Sequence, residues 1–323
     1  MRKLVSLLSA VATVAFLLSL TISSAAAAKP EVLHGNPLHR PRNAATPSNG
    51  ATVSPLAYHA GGAVQTGTHK TYAIYWGSTF STNYKAIINS YFNNVAVDSG
   101  KTSNVYASDT QYSQTIGGVT TKISYSENFG GSWSDTVLPT ASGCSSTAGG
   151  SFCVSNAQVR AEVQKAIKTN NWPKGLGAEY FVFLGNNIST CYDASNCAFT
   201  QFCAYHSSYV DTAANQYVLY ANMPYTGHNL SACGGGNYPN GDAAADATIS
   251  VTSHEANETI TDPLGNAWFD ASGNENGDKC AWNFGTQLGG TSGKYYNQVI
   301  NGAHYELQQE WSNATSRCVL TGQ

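Results

Sequence analysis

Charge is scarce in this sequence. Charged residues make up 11% of the 323, and the formal net charge is −3. Without a basic excess there is no electrostatic footprint for nucleic acid or an anionic membrane surface, so neither partner is expected. Long apolar runs are missing beyond the N-terminus, where nothing approaches the roughly 18 residues that a membrane span requires. No C-x-x-C pair occurs, which argues against a zinc-thiolate site. G-x-S-x-G, a phosphate-binding glycine loop and a placeable carboxylate pair for glycoside hydrolysis are also absent. The surface is left to Ser, Thr, Asn, Gln, Gly and Tyr.

The N-terminus has the form of an export signal. Arg2 and Lys3 precede an apolar run from Leu4 to Leu20, and Ser23 to Ala28 supply small residues. Ala26 and Ala28 suit the −3 and −1 pockets of a signal peptidase, which predicts a signal peptide over 1–28. The mature chain is then expected to be extracellular, with no membrane association after cleavage. All eight cysteines lie in that mature part: Cys144, Cys153, Cys191, Cys197, Cys203, Cys233, Cys280 and Cys318. An even count in an exported chain reads as disulfides. Four bridges allow about 105 pairings, so connectivity does not follow from spacing. The expected pattern is Cys144–Cys153 and Cys280–Cys318, with the middle four pairing among themselves.

Residues 29–57 carry Pro, Asn, Ala and basic residues without hydrophobic period, including Leu38-His39-Arg40-Pro41-Arg42. They read as a linker or a short pro-segment. From 58 to 323 a single disulfide-stapled domain is expected. Strands are predicted at 70–76, 122–129, 179–184, 201–209, 216–223 and 304–311. Helices are predicted at 83–97, from a cap at Asn156 to before Pro173, and from 243 to about 260. No internal repeats are present. The order implies an α+β fold, one twisted mixed sheet with helices packed on a face, in a zincin-like arrangement with the last helix, which carries His254-Glu255-x-x-Glu258, after the sheet.

The chemistry concentrates in Thr252-Ser-His-Glu-Ala-Asn-Glu-Thr-Ile-Thr-Asp-Pro263. His254 and Glu258 stand one helical turn apart, so both side chains leave the same face and can hold one divalent ion. Glu255 lies about 100° round the helix, placed to act as general base on a metal-bound water. This is H-E-x-x-H with Glu in place of the second His, a harder donor set tolerant of other metals. A third ligand is needed, and Glu275 and Asp278 follow His254 by 21 and 24 residues. That spacing resembles the gluzincin metalloproteases, thermolysin-like ones included, whose acidic third ligand comes slightly more than twenty residues after their first histidine. Either Glu275 or Asp278 is expected as ligand, the other orienting His254. Zinc is the expected ion, with Ca²⁺ the alternative. A solvated surface helix is the ordinary reading of the same residues.

Other candidates have ordinary readings too. His206, in Cys203-Ala-Tyr-His206, could ligate or donate, but a hydrogen-bonded, half-buried histidine is its common role. Tyr295, Tyr296 and His304 could face an oxyanion; tyrosine-rich loops usually pack. His59 and His69 have no partner visible in sequence. Asp262, before Pro263, suits a turn or cap. Trp133, Trp172, Trp268, Trp282 and Trp311 could stack on sugar, and core or rim packing is the plainer role.

Taken together, His254-Glu255-x-x-Glu258, Thr261-Asp262-Pro263, Asn266-Ala267-Trp268-Phe269 and Glu275-x-Gly277-Asp278-x-Cys280 resemble the C-terminal half of the EXORDIUM-like, phosphate-induced secreted proteins of plants and their bacterial relatives. Tyr58-His59-Ala60-Gly61-Gly62, Tyr75-Trp76-Gly77, the stretch from Cys197 to His206, and Glu310-Trp311-Ser312 add to the likeness. Thr-Asp-Pro rather than Thr-Asn-Pro makes the chain look like a bacterial member. The resemblance implies an extracellular or cell-wall protein and little about chemistry. Two expectations follow: a secreted zincin-like metallohydrolase acting on a peptide or protein, or a non-catalytic wall-associated protein whose acidic cluster is structural, with cell-wall polysaccharide as partner. Sequons at Asn187, Asn229, Asn257 and Asn313 matter only in a glycosylating host.

Overall fold

Aromatic and β-branched runs build the sheet, and their alternation decides which helix covers which face. The computed structural model describes residues 38–42 and 54–322; the expected signal peptide lies outside the described residues. The chain opens with β1 (Leu38–His39), β2 (Ala57–Tyr58) and β3 (His69–Trp76), followed by α1 (Tyr84–Val97). A hairpin, β4 (Ser113–Ile116) and β5 (Val119–Lys122), precedes β6 (Glu127–Asp135) and β7 (Phe152–Ser155). Then come α2 (Asn156–Asn170), β8 (Ala178–Leu184), β9 (Ile188–Cys191), β10 (Ala204–Asp211) and β11 (Gln216–Met223). The last third holds α3 (Leu230–Cys233), α4 (Ala243–Thr261), β12 (Trp268–Phe269), β13 (Gln298–Ile300), β14 (Ala303–Tyr305), β15 (Glu310–Ser312) and β16 (Arg317–Val319). No described helix is long and apolar enough to cross a membrane.

The fold is α+β around a mixed sheet. Strands β6, β3, β8 and β11 run parallel; β10 returns antiparallel beside β11, and β1 lies antiparallel outside β10. The β10–β11 return is a tight turn in which Asp211 Oδ1 accepts the N–H groups of Ala213 and Ala214.

Alternation along the strands sorts the layers. Tyr205 and Tyr220 send their hydroxyls to Asn156 at the start of α2, and Tyr180 stacks against Trp172 just past its end. On the other face Phe181 and Phe183 meet Phe92 of α1, and His206 points at α4. Helices therefore cover both faces, α2 on one and α1 with α4 on the other. The expectation of helices on a single face is corrected.

Element ends follow local chemistry. The cap of α2 is Ser155, one residue before the expected Asn156, because a capping box with Gln158 satisfies both orphan donors. Asp242 caps α4 by accepting from the Ala245 N–H. The predicted strand over 122–129 is split between β5 and β6, and that over 304–311 between β14 and β15. All four disulfides form: Cys144–Cys153, Cys191–Cys197, Cys203–Cys233 and Cys280–Cys318. The middle four pair among themselves, as expected.

Candidate functional site

Helix α4 is buried from Ala244 to Thr261, although half of it is polar. Several of its hydroxyl and amide groups are bonded locally or to neighbours. Thr252 Oγ1 donates to the Thr248 carbonyl, Asn257 Nδ2 to the Ser253 carbonyl, and Thr259 Oγ1 to Glu179 Oε1 at 2.7 Å. The solvated-surface reading is overturned. His254, Glu255 and Glu258 are each 0% exposed.

The i, i+4 spacing brings His254 Nε2 to 3.0 Å from Glu258 Oε1. Asp278 Oδ1 lies 4.0 Å from the same nitrogen, and the Asp278 N–H donates to Glu258 Oε1 at 2.9 Å. Ligand atoms of His254, Glu258 and Asp278 all fall within 4.8 Å of one another. His206, on β10, closes the other side: its Nε2 is 3.1 Å from Glu275 Oε2 and 3.6 Å from Glu258 Oε2. Each acid of the downstream pair thus faces a different histidine. Glu275 adjoins His206, and Asp278 adjoins His254. The 3-10 turn Asp278–Cys280 carries Asp278, and no long helix forms there.

The loop bearing these acids is held from three directions through Asn276. Its Oδ1 accepts from Thr261 Oγ1, its Nδ2 donates to Asp109, and its carbonyl accepts the Trp311 N–H at 2.9 Å. The Thr-Asp-Pro and Asn-Ala-Trp-Phe segments brace the end of α4. Asp262 Oδ1 accepts from the N–H groups of Asn266 and Ala267. Trp268 then pairs with Tyr58, and His59 stacks on Phe269. A Cβ on Gly62 would meet the Asn266 carbonyl oxygen at 2.2 Å, which is why glycine stands there.

Burial dominates the electrostatics. His206 and His254 are pushed down to about 3 by desolvation, so both imidazoles are neutral. Glu258 is pushed up to about 8 by burial. Glu255, Glu275 and Asp278 are raised well above the usual range, first by burial and then by the Glu258 charge. Glu310 joins them, raised by burial and by Asp109. Both ring nitrogens of His254, Oε1 of Glu275 and both carboxyl oxygens of Glu310 lack a hydrogen bond. Orphaned buried donors and acceptors are rare and need an explanation; a cation, if bound, would supply one, because it reverses the local penalty on carboxylates.

Two members of this cluster were not singled out from sequence. His39, on β1, is 0% exposed and stacks on the His254 ring with centroids 3.7 Å apart. Its Nδ1 is 3.9 Å from Glu255 Oε1. It lies within the stretch read as linker or pro-segment, where a two-residue strand leaves no periodic signal. Glu310 stood in the resemblance but carried no role. His69 instead bonds Glu127 at 2.7 Å and the Gln65 carbonyl. Tyr296 and His304 stack on each other.

Protein EXORDIUM-like 3 of Arabidopsis thaliana is 38% identical to this chain over 95 residues, a match covering 25% of the chain and 28% of that protein. The matched part is thus little more than a quarter of the relative's length. No family model matches the chain, and no solved structure does. The likeness supports an EXORDIUM-like relationship over that segment. Together with four disulfides, it fits an extracellular protein.

Proposed function

We propose that this protein is a secreted, metal-dependent hydrolase of zincin-like type acting on peptides or proteins. The observation that carries the reading is the convergence of ligand atoms from His254 and Glu258, both buried, and half-buried Asp278 within 4.8 Å. His254 and its neighbours fit an ion by the test of unmet hydrogen bonding. An imidazole in the set favours zinc over Ca²⁺, which takes six to eight oxygens. In this reading Asp278 is the third ligand, and Glu275 orients His206.

The ion, when bound, supplies Lewis-acid polarisation of the scissile carbonyl and a lowered pKa for water. The chain supplies the rest. Glu255, adjacent to His254 and displaced round the helix, takes the proton from the attacking water and returns it to the leaving amine. Its buried surroundings raise its basicity above that of a free carboxylate, the direction a general base needs. Glu275 holds the His206 ring, and Asn276 holds the loop that presents Asp278.

Metal content of the unchelated, purified protein is the first test, with one zinc per chain expected. Glu255→Gln should keep that zinc and lower hydrolysis of unfolded casein by roughly 10²–10⁴-fold. Full activity with metal retained would remove Glu255 from its role. A second reading has one observation in its favour: the cluster is shut from solvent, as a structural ion site in a non-catalytic wall protein would be. Polysaccharide is then the natural partner, and no variant that opens the cluster would hydrolyse anything.

A further inference from the structure

The candidate site is closed by the chain itself. Strand β1 adds to the free edge of β10, with Leu38 opposite Tyr205 and His39 opposite Ala204. The contacts that hold it are made almost entirely to main chain. The Cys203 N–H donates to the His39 carbonyl at 2.6 Å, Trp282 Nε1 donates to the Arg40 carbonyl at 2.9 Å, and the Arg42 N–H donates to the Ala232 carbonyl at 2.7 Å. Such contacts read an extended backbone and are indifferent to most side chains. The His39 side chain is the one that reaches His254 and Glu255. The His39 ring lies flat on His254, is flanked by Trp282 at 4.8 Å, and has Nδ1 3.9 Å from Glu255 Oε1. Ligand atoms of His39, His254 and Glu255 fall within 4.8 Å of one another.

From this geometry we propose that residues 38–42 are a built-in occupant of a peptide-binding cleft, and that they hold the site shut until displaced. The proposal rests on the hydrolase reading above and deepens it. The cleft's ligand is an extended polypeptide laid antiparallel on β10, with one side chain at the His39 position facing His254 and Glu255. The strap copies that ligand with a residue whose ring covers both. A strand used merely to finish the sheet would have no need to bury an imidazole between an imidazole and a carboxylate. An edge strand such as β10 is also the natural place for a polypeptide to add.

The test compares the full chain with its His39→Ala variant, both with disulfides intact. Zinc content is measured first, then the rate of zinc loss to excess dipicolinate, then hydrolysis of casein. His39→Ala is expected to retain zinc, lose it to the chelator at least tenfold faster, and hydrolyse casein at least tenfold faster. A synthetic peptide of residues 36–44, added in trans, should slow both again, and the same peptide with alanine at the His39 position should do so more weakly. Should His39→Ala fail to fold, Trp282→Phe removes the hydrogen bond to the Arg40 carbonyl and should change both rates in the same direction. Zinc in both proteins with equal chelation and hydrolysis rates would overturn the strap and leave the hydrolase reading standing. Absence of zinc from both would overturn the hydrolase reading and the strap with it.

Discussion

Gly277 has an ordinary helical backbone, with φ −68°, so conformational freedom is not what glycine provides there. Space is. A Cβ would sit 2.8 Å from Cε1 and Nδ1 of His254 and 3.0 Å from Glu258 Oε1. Gly277→Ala should therefore fold with all four disulfides, push those two side chains aside by tenths of an ångström, and weaken metal binding by roughly 10–100-fold, the range seen when groups supporting a ligand are disturbed. Competition with a chelating dye measures it, and unchanged affinity would separate Gly277 from the ion. At this scale legibility was uneven. His254 and Glu258 could be paired from sequence because helical geometry fixes an i, i+4 contact. Both later acids could be named because they fall near the right spacing. Which histidine each acid faces depends on how the loop folds over β10, and sequence spacing holds no information on that. His206 lies on a strand three residues after Cys203, a context in which a plain buried histidine is common.

Helix α4 shows what governs the elements. Its start and length were legible, since Asp242 is a strong cap and Pro263 forbids continuation. Its complete burial was not, because a run of Thr, Ser, Asn and Glu lacks the apolar stripe that marks a packed helix. Burial becomes affordable through bonds such as Thr259 to Glu179, which appear only when α4 lies on β8. Strand β6 was hidden for a related reason. Gly130 and Gly131 interrupt its pattern, and it is held by pairing with β3, across a register shift at Thr71 and Tyr72. The far end of α4 carries a pH-dependent prediction. Asp262 is pushed up to about 7, first by burial and then by the Glu258 charge, against about 3.9 in an unfolded chain. A group kept protonated by the fold contributes stability fully below the unfolded value, and loses that contribution as pH rises through 7. Asp262→Asn keeps an oxygen to accept from Asn266 and Ala267 but cannot ionise. The variant should match the parent near pH 4 and exceed its stability at pH 8.5 by on the order of 2 kcal/mol, or about 5 °C in Tm. Parallel melting profiles across that range would show that Asp262 does not titrate with folding.

Across the whole molecule, the C-terminal segment is one of the anchors that fasten the acidic loop. Trp311 bonds Asn276, Gly322 donates to the Thr102 carbonyl at 2.9 Å, and Cys318 is bridged to Cys280. Cys280 ends the same 3-10 turn that Asp278 begins, so this bridge fixes a ligand candidate as well as a loop. Its two cysteines are 38 residues apart in sequence, against 6 for Cys191–Cys197. Loop-closure entropy then predicts a cost of about 4 kcal/mol for replacing Cys280 and Cys318 by alanine, and about 2 kcal/mol for Cys191 and Cys197. The two losses should differ in kind as well. Without the long bridge, the turn frays at the residue two positions from Asp278, and metal affinity should fall together with Tm. Without the short bridge, only the turn after β9 loosens, and Tm should fall while the ion stays bound. Thermal melts paired with zinc titration of both variants decide it. Equal zinc affinity in the two would mean that Asp278 is positioned by the Asn276 hydrogen bonds alone.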